Sequence, residues 1–176
     1  MDYKKHIRTV PHFPKQGIMF RDITTLLKNA NALNSVADKM AAYYLKKPFS
    51  IDKVVSAESR GFIFGAILAK ELHAGFVPLR KPGKLPAKTI REEFDTEYSK
   101  DAFEIHADAI GKGEKCIICD DLLATGGTSM AAVRLVERLG GKVEGLFFLI
   151  ELDFLKGRKK LKGYDVFSLI NYDKEE

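Results

Sequence analysis

The chain has 176 residues, of which 45% are hydrophobic, 30% charged and 10% aromatic, and its formal net charge is +5. That length suits one domain with a full core that needs neither disulfides nor a structural metal, and the composition excludes the disorder signature of low hydrophobicity with high net charge. A modest positive balance suits an anionic ligand and does not make nucleic acid the expected partner.

No membrane span is expected, because the longest wholly apolar runs, such as Leu146 to Ile150, fall far short of the roughly 18 residues a spanning helix needs. The N-terminal MDYKKHIRTVPHF has charges but no apolar stretch of a secretory signal. The two cysteines, Cys116 and Cys119, make no disulfide scaffold. A cytoplasmic protein is the expectation.

Along the chain, Leu33, Val36, Ala37, Met40, Ala41, Tyr44 and Leu45 recur at helical spacing, which predicts an amphipathic helix over 31–45 ending near Pro48. A buried strand is predicted over 52–57, a helix over 61–72 and a strand over 76–79. From 81 to about 104 the chain turns polar, with Pro82, Gly83 and Pro86 and weak alternation. Such a segment in a compact domain is usually functional or disordered, and it reads as a mobile flap, in the form of a hairpin. Further strands are predicted over 115–119, 143–150 and 166–170, a helix over 127–139 and a short helix over 154–161. Strands alternating with helices imply an α/β fold with a central, mostly parallel sheet flanked by helices. Ligands in such sheets sit beyond the carboxyl ends of the strands.

The most informative stretch is CIICDDLLATGGTS, Cys116 to Ser129. A buried strand runs into Asp120 and Asp121, and a glycine-containing turn then opens a helix. The first N–H groups of a helix lack internal partners and carry positive potential. Gly126 and Gly127 permit close backbone approach, and Thr125, Thr128 and Ser129 add hydroxyls. This is a phosphate cradle. Two acids beside a phosphate site would repel a simple phosphate; they suit a ligand with hydroxyls next to its phosphate, a ribose 5-phosphate. With no Lys after the glycines, the segment is not a P-loop. Cys116 and Cys119 have redox-like spacing, but positions three apart in a strand face opposite sides. The basic group Arg158, Lys159, Lys160 and Lys162 reads as a solvated face.

The strand–DD–LLATGGT pattern resembles the phosphoribosyl pyrophosphate (PRPP) motif of the type I phosphoribosyltransferases. Three other segments match in order: FPKQGIMFRDIT (Phe13 to Thr24) resembles a base-binding segment, SAESRGFIFG (Ser56 to Gly65) a pyrophosphate loop, and RKPGKLPAKT through DTEYS a flap. The LLATGGT form is most similar to members that act on adenine. The resemblance covers nearly the whole chain and implies a single domain over 1–176 with a flap at about 81–106.

Residue by residue, the resemblance implies that Asp120 and Asp121 contact the ribose hydroxyls. Ala124, Thr125, Gly126, Gly127 and Thr128 hold the 5-phosphate. Glu58, Ser59 and Arg60, in a turn where the family often has a non-proline cis peptide, bind pyrophosphate together with Arg80, Lys81 and Lys84. Phe20 and Leu122 flank the base, and backbone groups near Met19 and Arg21 read its edge. Glu97, with Tyr98 beside it, handles the N9 proton or stabilises the charge. The implied reaction is Mg²⁺-dependent transfer of 5-phosphoribosyl from PRPP to adenine, giving AMP and pyrophosphate in purine salvage. Mg²⁺ is held mainly through PRPP, and the implied assembly is a homodimer. Two alternatives stay open: the same reaction on guanine, hypoxanthine or xanthine, and a nucleic-acid-binding regulator on the same fold.

Overall fold

The computed structural model describes residues 1–95 and 100–175. After a 3-10 turn at Tyr3–His6, strand β1 (Arg8–Pro11) pairs antiparallel with β2 (Met19–Asp22). Neither strand is foreseen in the sequence, because each is four residues long and shows too few apolar positions for a period. A single helical turn, α1 (Thr24–Leu27), leads to α2 (Ala30–Leu45). The Asn29 side chain caps α2 by accepting from Ala32 N–H at 3.0 Å. Its buried face is Ala32, Val36, Met40, Ala41 and Tyr44; Val36, Met40, Ala41 and Tyr44 are in the expected stripe, whereas Leu33 and Ala37 are half-buried and Leu45, in the last turn, is exposed.

Strand β3 (Lys53–Ala57), helix α3 (Gly61–Glu71) and β4 (Gly75–Leu79) then form a parallel βαβ unit. Strands β5 (Thr89–Asp95) and β6 (Lys100–His106) make an antiparallel hairpin. The chain closes with β7 (Lys115–Leu123), α4 (Gly127–Arg138), β8 (Lys142–Leu152) and β9 (Val166–Tyr172). The central sheet is parallel, five-stranded, and ordered β4-β3-β7-β8-β9.

Alternation along the strands divides the core in two. Val54, Ile117, Cys119, Phe147 and Leu149 pack on one side with residues of α2 and α3; Val55, Cys116, Ile118, Leu146 and Phe148 pack on the other with α4. Cys116 and Cys119 therefore sit on opposite faces, both free. Burial pushes the Cys116 thiol up to about 12 and that of Cys119 well above its usual range, so neither is a reactive thiolate.

The hairpin departs from the expectation of a polar flap. Phe94, Ala102, Phe103 and Ile105 are buried, and Phe94, Phe103 and Ile105 belong to the α4 side of the core. Arg134 and Arg138 of α4 reach Glu92 at 3.1 and 3.0 Å. The described part of the hairpin is thus packed against α4. In addition, residues 153–161 are not one helix but two 3-10 turns, Asp153–Leu155 and Gly157–Leu161, joined through Lys156 at φ 56.

Candidate active site

The strand order reverses between β3 and β7. From β3 the chain moves outward to β4, and from β7 it moves the other way to β8 and β9. The crevice beyond the carboxyl ends at such a switch point is where open α/β sheets bind ligands. A cavity of about 410 Å³ lies there, bordered by Glu58, Ser59 and Arg60 after β3, by Asp120 and Asp121 of β7, by Thr128, and by Lys81, Phe94, Asp101 and Phe103. A second cavity of about 330 Å³ shares Phe20 and Arg60 with it. Its other walls are largely apolar: Ile18, Met19, Leu122, Leu152, Phe154 and Leu155, with Arg21 and Ala124.

Local geometry explains the first cavity. Strand β7 runs on to Leu123, four residues beyond its expected end, so Asp120 and Asp121 are part of the sheet. The buried Ser56 hydroxyl donates to Cys119 O at 2.6 Å and ties the ends of β3 and β7 together. A Cβ at Gly61 would lie 2.6 Å from Asp120 Oδ1, so only glycine lets α3 begin this close to the acid. Gly126 has φ +80 and makes the turn into α4. The Glu58–Ser59 peptide is cis.

The charges form interlocking pairs. Arg60 Nε lies 2.8 Å from Asp121 Oδ2, and the Arg60 guanidinium also stands 5.1 Å over the Phe20 ring. Glu58 accepts from Lys81 N–H, from Lys84 Nζ at 3.1 Å and from an Arg80 guanidinium nitrogen at 3.4 Å. Lys81 Nζ pairs with Asp101. Burial pushes Asp120 well above the usual carboxylate range and the charge of Asp121 adds to it. Burial also raises Asp121, with Arg60 opposing. Glu58 moves the other way: burial raises it, but the Lys81 N–H and the Lys84 and Arg80 side chains outweigh burial and hold it below its ordinary value.

Most of the residues singled out from the sequence converge here. Ser59, Arg60, Lys81, Asp120, Asp121 and Thr128 border the first cavity, and Met19, Phe20, Arg21, Leu122 and Ala124 the second. Thr125, Gly126 and Gly127 lie in the turn between Ala124 and Thr128 without lining either. Arg80 and Lys84 stand behind Glu58, outside the lining. Glu58 also borders the first cavity, and its carboxylate accepts from Lys81 N–H and from the Lys84 and Arg80 side chains. Glu97 and Tyr98 lie outside the described residues. Leu152, Phe154, Leu155 and Asp101 are not foreseen in the sequence. The first three come to the base-side cavity because β8 runs beside β7, with Glu151 level with Leu123, and no local pattern carries that information.

Among the described residues, no group of three or more His, Cys, Asp or Glu is placed to hold a metal ion. The donor set fits Mg²⁺ in another way. This ion is commonly bound through one or two carboxylates plus substrate phosphates, and Asp120 and Asp121 beside a phosphate turn supply that arrangement.

A switch-point crevice that combines an acidic strand end, a glycine turn opening a helix and an arginine loop after the neighbouring strand is the architecture of a type I phosphoribosyltransferase. The chain matches the phosphoribosyl transferase domain over residues 22–175. It is 56% identical over 173 residues to the adenine phosphoribosyltransferase of Clostridium perfringens, covering 98% of this chain and 99% of that one. The crystal structure of adenine phosphoribosyltransferase from Thermoanaerobacter pseudethanolicus is similar with a TM-score of 0.91 and 53% identity, over 97% of this chain and 98% of that one. The Saccharomyces cerevisiae enzyme, crystallised with D-2,5-dideoxy-2,5-imino-altritol 1,6-bisphosphate and adenine, gives 0.89 and 42%, over 96% of each chain. The chain therefore belongs to the phosphoribosyltransferase family, within its adenine phosphoribosyltransferase group.

Proposed function

We propose that the protein transfers the 5-phosphoribosyl group of PRPP to N9 of adenine, releasing pyrophosphate and AMP in purine salvage. The observation that carries this reading is the pair of adjoining cavities that meet at Phe20 and Arg60, one lined by acids and cations and the other largely apolar. They suit a sugar phosphate and a planar base held side by side.

In this mechanism Asp120 and Asp121 accept hydrogen bonds from the ribose hydroxyls. The turn from Ala124 to Thr128 and the N-terminus of α4 bind the 5-phosphate through N–H groups and hydroxyls. Arg60 and Lys81, with Arg80 and Lys84 behind them, meet the diphosphate. Each exchanges a carboxylate partner seen here, Asp121, Asp101 or Glu58, for phosphate oxygens. Ser59 belongs to the same loop, and Glu58 steers its cations. Phe20 and Leu122 flank the adenine ring while backbone groups at Met19 and Arg21 read its edge. The C1–O bond to pyrophosphate breaks as N9 attacks C1, and the N9 proton passes to Glu97 with Tyr98 beside it. Mg²⁺ would be held mainly through PRPP beside Asp120 and Asp121, and would supply charge neutralisation at the leaving group. Residues 81–106 act as a flap that keeps water from the cationic sugar. We read the chain as one domain over 1–176 that works as a cytoplasmic homodimer. No helix among the described residues is long and apolar enough to cross a membrane.

The test is a base panel with PRPP and Mg²⁺: adenine, guanine, hypoxanthine, xanthine and orotate supplied separately. AMP formation from adenine alone is the expected result. Turnover of another base would keep the reaction and reassign base reading at Met19, Phe20 and Arg21. PRPP binding without any transfer would overturn the enzymatic reading and make RNA binding the next assay. Within the enzyme, Glu97→Ala should lower kcat by roughly 100-fold, the scale of general acid–base assistance, with little change in PRPP affinity. Wild-type turnover in that variant would remove Glu97 from the mechanism.

A further inference from the structure

The segment after β8 touches both halves of the site. Leu152, Phe154 and Leu155 wall the base-side cavity. Two residues further on, Gly157 lies against the back of the phosphate turn. A Cβ on Gly157 would stand 2.1 Å from Ala124 O and 3.0 Å from Gly126 N, and a Cβ on Gly126 would stand 2.7 Å from Gly157 O. This is backbone against backbone, with no side chain between them to give way.

A polar network centred on one buried carboxylate fixes that segment. Glu151, at the carboxyl end of β8, is only 3% exposed. Arg158 forks it, with Nε 2.9 Å from Oε1 and a terminal nitrogen on Oε2. The same guanidinium donates to Val166 O at 2.8 Å and to Ser168 Oγ at 3.2 Å, and the Ser168 hydroxyl donates to Glu151 Oε2 at 2.5 Å. Arg158 stays exposed with its basic neighbours, but its guanidinium is also held by these partners. It crosslinks β8 and β9 immediately beside the glycine that backs the turn.

We propose that Arg158 and Glu151 are positioning residues that hold Gly157 against the phosphate turn and Phe154 and Leu155 against the base, so that one segment sets both ends of the nucleotide site. The proposal rests on the AMP-forming reading given above. It separates the nucleotide from pyrophosphate. The loop at 58–61 and the cations at 80–84 follow β3 and β4, and they make none of the hydrogen bonds or ion pairs of this network.

The experiment is pyrophosphorolysis by the full chain, with KM measured separately for AMP and pyrophosphate, alongside direct AMP binding. Arg158→Ala should raise the KM and Kd for AMP on the order of tenfold or more, while KM for pyrophosphate stays near wild type. Arg158→Lys should recover little, since an ammonium cannot fork the carboxylate. Gly157→Ala keeps the ion pair but pushes on Ala124 O, and should give the same AMP-selective loss; it decides the matter if Arg158→Ala does not fold. AMP affinity unchanged in both variants overturns the proposal. So does equal weakening of AMP and pyrophosphate with a lowered Tm, which marks general loosening. A wild-type protein that binds no AMP overturns the functional reading instead.

Discussion

Asp121→Asn should lower kcat/KM for PRPP by roughly 10–100-fold, the scale of losing a charge-assisted hydrogen bond to a ribose hydroxyl. The substitution keeps size and burial. It replaces an acceptor with an amide, one end of which can only donate. The buried carboxylate also loses its pairing with Arg60 Nε, 2.8 Å away. Arg60 is partly exposed and can turn to water, so Tm should move little. The acid limb of the pH profile supplies a second readout. Burial holds Asp120 and Asp121 above the usual carboxylate range. An acid with a raised pKa takes up its proton at a higher pH, and the protonated form is a poorer acceptor for a hydroxyl. Wild-type KM for PRPP should therefore climb, as pH falls, before an exposed carboxylate would titrate. In Asp121→Asn the neighbouring charge that helps raise Asp120 is gone, so the climb should begin at lower pH. Wild-type PRPP kinetics with a lowered Tm would assign Asp121 a structural role instead.

Gly61→Ala should fall by on the order of 100-fold in kcat/KM for PRPP while the protein remains folded. Helix propensity alone argues the other way, since alanine inside a helix is favoured over glycine by about 1 kcal/mol. The tertiary contact decides. The new methyl would meet Asp120 Oδ1 at 2.6 Å, and Asp120 Cα and Cys119 O at 3.3 Å. Two of these three atoms are backbone, so the start of α3 must retreat. It would carry Arg60 and the cis Glu58–Ser59 turn away from the acids of β7. Steady-state kinetics with a thermal melt separate the outcomes. Normal activity would mean that the Asp120 carboxylate swings aside at no cost to PRPP binding.

Legibility in the sequence followed the range of the interactions. Helix α2 was readable because its buried residues sit on one face of one element, and helical spacing alone reports that. The phosphate turn was readable because strand, acids, glycines and helix start are contiguous, and their chemistry depends on backbone geometry within a few residues. The hairpin at 89–106 was half readable. Its turn chemistry and weak alternation showed, but Phe94, Phe103 and Ile105 stand among charges whose partners, Arg134 and Arg138, come from α4. Arg158 is exposed, as the solvated reading expects, but its fork to Glu151 is not legible, because Glu151 looks, in sequence, like the end of an apolar strand.

By itself the sequence determined the alternation of strands and helices, the phosphate turn with its two acids, and the family they belong to. These rest on side-chain periodicity and on glycine backbone freedom, which are local properties. Only the tertiary structure decided which cations face which acids, that Glu58 grips Arg80 and Lys84, that Phe154 and Leu155 wall the base cavity, and that Gly157 backs the phosphate turn. Those pairings join elements far apart in the chain. They exist because the parallel sheet sets β3, β7 and β8 side by side with their carboxyl ends together, a register no local pattern can report.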